Sequence, residues 1–148
     1  MTVTPPPETA VRDALARAFA EVRPQMVQFA REDADLDPNR RADDFSDADI
    51  EQFLNAWEAL FLEALEGTGR AKRDLILETA LPPVLELGGG AADLVRGNVV
   101  SAVMTTHRLL ARVADGQRDE AARWLARFFS GYAREVAERA IALERERP

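Results

Sequence analysis

The sequence predicts an all-α fold of five to six helices ending in a long C-terminal one, and three observations carry that expectation. Apolar residues recur at steps of three or four through most of the 148 positions, the period of one helix face. No segment sustains the period-two alternation of a half-buried strand. Residues 117–147 contain no proline and a single glycine, and Trp124, Leu125, Phe128, Phe129, Tyr132, Val136, Ala140 and Leu143 form one stripe along them.

Taken in order, Pro5, Pro6 and Pro7 make residues 1–7 a flexible tail, and residues 8–148 read as a single all-helical domain. A helix opens at Glu8 or Thr9 with Val11, Leu15, Phe19, Val22, Met26 and Phe29 on one face. Pro24 falls inside this pattern, where it removes a hydrogen bond and crowds the preceding turn, so a kink or restart is expected near Arg23, and the apolar stripe continuing past it favours a kink. Residues 32–44 are polar and irregular around Pro38 and read as a loop.

Ser46 followed by Asp49, with Phe45 just ahead, is the signature of a capping box. The helix it starts carries Ile50, Phe53, Leu54, Trp57, Leu60, Phe61, Ala64 and Leu65 and meets Gly67, a natural left-handed C′ residue. The next helix covers residues 70–81 and is expected to stop there, because Pro82 disfavours helical geometry at Leu81. Residues 84–87 would add a short turn, and Gly88, Gly89 and Gly90 a joint. Residues 91–114 form a helix apolar around most of its circumference, which suits a central helix or one shared between a core and a subunit interface. Asp115 and Gly116 turn the chain into the long last helix.

Composition limits the function classes. The chain is 47% hydrophobic and 30% charged, and no apolar run approaches the roughly 20 residues of a membrane helix. Residues 1–7 lack the charged and apolar regions of a signal peptide, so a cytoplasmic protein without a membrane partner is expected. Cysteine is absent and histidine occurs once, which removes disulfides, thiolate chemistry and cysteine-based metal sites. Net charge is −7, with residues 1–66 holding 15 acids against 6 bases and residues 67–148 holding 11 against 13. An acidic surface repels phosphate backbones, and no nucleic-acid partner is expected.

Catalytic patterns are missing. There is no Gly-x-Ser-x-Gly, no His-Glu-x-x-His and no Ser/His/Asp set around His107, so no catalytic residue is assigned and the chain reads as a non-enzyme. Asp33, Asp35, Asp37, Asn39 and Asp44 imitate a calcium loop, but Pro38 stands where a positive φ is needed and Arg40 and Arg41 bring positive charge. No metal site is assigned. Gly67 to Lys72 lacks the Gly-Lys-Ser/Thr of a phosphate loop. His107 has no second ligand three or four residues away, and no cofactor is assigned. Phe53, Trp57, Phe61, His107 and Trp124 are the candidates for lining a ligand cavity, with plain core packing as the alternative use of the rings.

The Ser-capped helix reading Phe45-Ser46-Asp47-Ala48-Asp49-Ile50 and continuing to Trp57, Leu60 and Leu65, the apolar penultimate helix, and Arg127-Phe128-Phe129-Ser130 on the last helix together resemble the N-terminal domain of the stressosome co-antagonist RsbR family. The resemblance spans about residues 10–147 of a helical pattern. It implies a globin-like fold without haem, dimerisation through the later helices, and a signal passed through the exit helix to a STAS domain. No STAS-like strand pattern follows within the 148 residues. The functional expectation is a non-enzymatic sensory or regulatory homodimer with STAS-domain proteins as regulatory partners. Leu125, Phe128, Phe129, Tyr132 and Val136 are the expected seam between core and dimer, with His107 and Arg108 as a polar contact near it. A haem or small-ligand binder and a free-standing helical adaptor are the alternatives.

Overall fold

Some helix boundaries follow local chemistry and others follow packing. The computed structural model describes residues 4–34, 45–86 and 90–146, without the side chains of residues 34, 84 and 86. Its elements are α1 (Thr9–Val22), a 3₁₀ turn (Arg23–Gln25), α2 (Met26–Ala34), α3 (Asp47–Leu65), α4 (Arg70–Glu86), α5 (Ala91–Leu110) and α6 (Asp115–Glu146). No strand occurs among the described residues. The chain is an all-α bundle with a long C-terminal helix.

At Pro24 the helix restarts. The 3₁₀ turn takes the proline in its first positions, where a missing N–H costs least. The apolar stripe runs through undisturbed: Val11, Leu15, Phe19, Val22 and Met26 are all buried. Arg23 fixes the bend by donating to Glu51 Oε1 at 2.6 Å and Asn55 Oδ1 at 2.7 Å on α3.

Both ends of α3 are closed as the sequence specifies. Ser46 Oγ accepts from the Asp49 amide at 3.1 Å, and the Asp49 carboxylate accepts from the Ser46 amide at 3.3 Å. Such a cap is worth about 1 kcal/mol. At the far end Gly67 N donates to Ala64 O and Thr68 N to Glu63 O, with Gly67 at φ +83°. That is a Schellman closure, and a side chain at Gly67 would be strained.

Two expectations are corrected. The helix from Arg70 does not stop at Leu81 but continues through Pro82 and Pro83 to Glu86. The prolines leave the carbonyls of Glu78 and Thr79 without their helical donors, at two residues that are exposed to solvent. Leu81 and Leu85, buried one turn apart, hold the segment in place, and tertiary packing outweighs the proline preference. Secondly, residues 4–7 of the expected tail lie against the body. Pro5 O accepts from the Trp124 indole at 2.8 Å, and the Pro6 ring sits where a Gly67 side chain would meet it at 3.1 Å. Helix α5 packs against α6, α1, α2 and α4 and keeps one face in water, which suits the second of its two expected uses. Its buried side chains are Ala91, Thr105 and Leu109, while Val99 and Val103 are 49% and 61% exposed.

The expected loop over residues 32–44 starts later, since α2 runs to Ala34; residues 35–44, with most of the calcium-loop imitation, lie outside the described residues, as do residues 87–89. Asp33, the first acid of that imitation, is committed elsewhere: Arg108 holds it through two bonds of 2.8 Å. The same guanidinium lies 3.9 Å from the Phe29 ring centroid. Arg108 therefore ties α2 to α5 within one chain.

Candidate functional site

Two features stand out, an aromatic cleft and a buried charge cluster, and α6 contributes to both. The aromatic core comes first because it shapes the cleft. Phe19, Phe61, Trp124 and Phe128 are buried and joined by ring contacts through Phe61, with Trp124 and Phe128 stacked at 5.2 Å and Phe19 and Phe61 at 4.7 Å. Trp57 sits at the edge of this cluster, with Phe61 at 5.6 Å on one side and Phe129 at 5.8 Å on the other.

Beyond Trp57 the packing is incomplete. A cleft of about 80 Å³ opens among α3, α5 and α6, with Met26 of α2 at its edge. Phe53, Leu54, Trp57, Phe129, Ala102 and Ala133 give it apolar walls, and Asn98, Ser101, Thr105 and Tyr132 supply polar groups. No charged residue lines it. Asn98 Nδ2 donates to Leu94 O at 2.9 Å, which leaves its carbonyl oxygen to accept. Tyr132 and Thr105 are only 7% and 8% exposed. Among the described residues, neither hydroxyl has a hydrogen-bond partner, yet neither is sealed off, unlike Arg23 Nε and Glu63 Oε2.

Burial pushes the Tyr132 phenol up to about 12 from 10.0; the Arg73 charge opposes this and the Glu135 charge adds to it. The folded state thus holds this proton more tightly than the unfolded chain does. The resulting stability is present below pH 10 and is lost as pH rises through about 12. Tyr132 is the only tyrosine, so tyrosinate absorbance reports it alone. An alkaline titration should give a midpoint well above 10.0, with helix loss following ionisation. A midpoint near 10.0 in a still helical protein would contradict the burial.

Next to Tyr132 on α6 lies the charge cluster. Glu135 is 1% exposed; Arg73 Nη1 donates to Glu135 Oε2 at 3.0 Å, and Arg70 donates to Oε1. Arg73, itself buried, lies over the rings of Phe128 and Tyr132 at 5.5 and 5.8 Å. The Glu135 hydrogen bond raises the Arg70 guanidinium above its usual range. One turn further, Arg139 donates to Asp74 at 2.6 Å, and Asp74 also pairs with Arg70 at 3.2 Å. Three of these four arginine–carboxylate contacts bind α4 to α6, and the Arg70–Asp74 pair lies within α4.

The residues expected as a cavity divide. Phe53 and Trp57 line the cleft, whereas Phe61 and Trp124 are core. His107 is exposed and does not line it; two residues beyond Thr105, it lies about 200° further round α5. The expected dimer seam is corrected as well. Leu125, Phe128, Tyr132 and Val136 are buried within a single chain and offer no surface to a second copy; Phe129 alone stays half-exposed. Their apolar stripe is spent on α1, α3 and α4 before any partner arrives.

The end of α6 also differs from a free stalk. Glu144 Oε2 accepts from the Ala91 amide at 2.7 Å, so the last turn of α6 caps the first turn of α5, as a carboxylate should. Ala140 and Leu143 pack with Leu85, Ala91 and Leu94 beside it.

The class that fold and site define is an all-α helical bundle with an open, uncharged aromatic cleft and no group of three or more His, Asp or Glu residues placed to hold a metal among the described residues. No protein-family model, curated protein or solved structure matches the chain. No helix of the described residues is long and apolar enough to cross a membrane.

Proposed function

We propose that the chain is a non-enzymatic sensory or regulatory module that pairs with a second copy of itself, of the kind formed by the globin-like N-terminal domain of RsbR-type stressosome proteins. The observation that supports this is the outer face of α5. Ala92, Arg96, Val99 and Val103 follow one another at steps of four, three and four and are all exposed. That is close to heptad spacing, the register of a seam between paired helices, and β-branched residues suit two-stranded pairing. A second copy would shelter the valines that the chain's own fold leaves in water.

The pairing surface is thus assigned to α5 rather than to the aromatic stripe of α6. Signal transfer needs a link from that seam to the exit helix, and Glu144 supplies one by holding the end of α6 to the start of α5. A shift of α5 against its mate would carry the end of α6 with it, where a STAS-domain protein is the regulatory partner implied. The haem-binding alternative draws no support from an exposed His107 outside the cleft.

Sedimentation tests the reading. The chain is expected to be a dimer at micromolar concentration, and Val103→Glu a monomer of unchanged helicity, since the site is exposed and surface changes cost about 0.5 kcal/mol or less. A monomeric parent chain would sink the homodimer and favour the free-standing helical adaptor.

A further inference from the structure

We propose that the cleft beside Trp57 binds a small, uncharged, single-ring molecule carrying a hydroxyl, a phenol-type ligand. The inference stands on the cleft alone and holds for a monomer or a dimer.

Size sets the first limit. The cleft measures about 80 Å³, against the roughly 150 Å³ of an engineered cavity that encloses benzene and the roughly 30 Å³ share of one water. A single ring enters and keeps one edge in the open mouth, whereas a larger ligand has no room to bury itself. The walls set the second. Trp57 is already stacked with Phe61 at 5.6 Å and Phe129 at 5.8 Å, so the ring surface left to an occupant is that of the half-exposed Phe129 and the exposed Phe53. Flat aromatic faces favour another ring by offset or edge contact.

Charge sets the third limit. The lining contains no ionised group, so an ion entering it would lose its water without gaining a counter-charge. Arg73 and Glu135 stand behind the Tyr132 ring but are already paired with each other at 3.0 Å.

The polar demand is the most specific feature. Tyr132 and Thr105 each keep a hydroxyl without a protein partner at 7% and 8% residue exposure, open to the cleft and not sealed in the core. An occupant that covers them therefore has to replace their bonds to water or leave them unmatched at a cost. Both line the same cleft as the free carbonyl oxygen of Asn98. A ligand hydroxyl donates to one of these groups and accepts from another, which a hydrocarbon ring cannot do.

The test follows the two indole N–H signals of the nitrogen-15-labelled chain, with Trp57 in the cleft and Trp124 bonded to Pro5 as an internal control. Para-cresol, toluene and benzoate serve as probes. Para-cresol is expected to shift the Trp57 signal saturably below about 10 mM, to leave Trp124 in place, and to bind more tightly than toluene or benzoate. Tyr132→Phe and Thr105→Val should each weaken para-cresol by about three- to tenfold, one hydrogen bond's worth, and leave toluene unchanged. Ala102→Leu should abolish binding by filling the cleft, and Ser101→Leu does the same from an exposed position if the first variant fails to fold. The proposal is overturned by an unmoved Trp57 signal, by equal affinity for para-cresol and toluene with no effect of either hydroxyl deletion, or by benzoate as the tightest probe.

Discussion

Glu135→Ala is expected to destabilise the protein by roughly 3–5 kcal/mol, the usual cost of stranding one partner of a buried ion pair. Glu135 is 1% exposed and receives both Arg70 and Arg73. Arg70 is more than a third exposed in its side chain and turns to water when its acceptor is removed. Arg73 cannot follow, because it is buried against Phe128 and Tyr132. The penalty therefore falls on Arg73, and denaturant unfolding would read it as a lower midpoint at an unchanged slope. Replacing the pair together, Glu135→Leu with Arg73→Met, should recover most of the loss, since an apolar pair of similar volume has no desolvation cost to repay. A loss below about 1 kcal/mol for Glu135→Ala would mean that water reaches the cluster.

Phe128→Ala should lose a similar amount, about 3–5 kcal/mol. Phe128 is wholly buried, stacked on Trp124 at 5.2 Å and edge-on to Phe61 and Trp57 at 5.7 and 6.0 Å. Its removal leaves a cavity that these rings are too rigid to close. The neighbouring Phe129 is half-exposed, and Phe129→Ala should cost only about 1–2 kcal/mol of apolar burial. Against a total stability of about 5–15 kcal/mol for an ordinary domain, the first change threatens folding and the second does not. Thermal melting followed by helical circular dichroism separates them, and equal losses would contradict the assignment of Phe128 to the core. Because Phe128 and Glu135 share Arg73, their effects should not add.

Local signals were the most legible part of the fold. The capping box at Ser46, the left-handed Gly67, the interruption at Pro24 and the stripe from Val11 to Met26 all depend on chemistry within a few residues, and all occur where the sequence places them, though the interruption is a 3₁₀ restart where the continuing stripe favours a kink. Part of the cleft was legible too: Phe53 and Trp57 were among its candidates as aromatic residues of the α3 stripe. Thr105, Ser101 and Asn98 were not, since a small polar residue on an apolar helix carries no sign of what it faces. Glu135 did leave a signal. It stands three residues after Tyr132 and seven after Phe128, an acid on the buried stripe, and such a residue needs a cation from another helix.

What the sequence determined by itself was the class, an all-α chain with a long last helix, because helix period, caps and glycine closures are short-range. Only the tertiary structure decided which faces are spent inside the chain. The aromatic stripe of α6 is used up against α1, α3 and α4, α4 passes its prolines because Leu81 and Leu85 are packed, and the valine face of α5 is left in water. Periodicity reports that a face is apolar. It cannot say what the face meets, since burial is a property of contacts between distant segments and is fixed only when they pack.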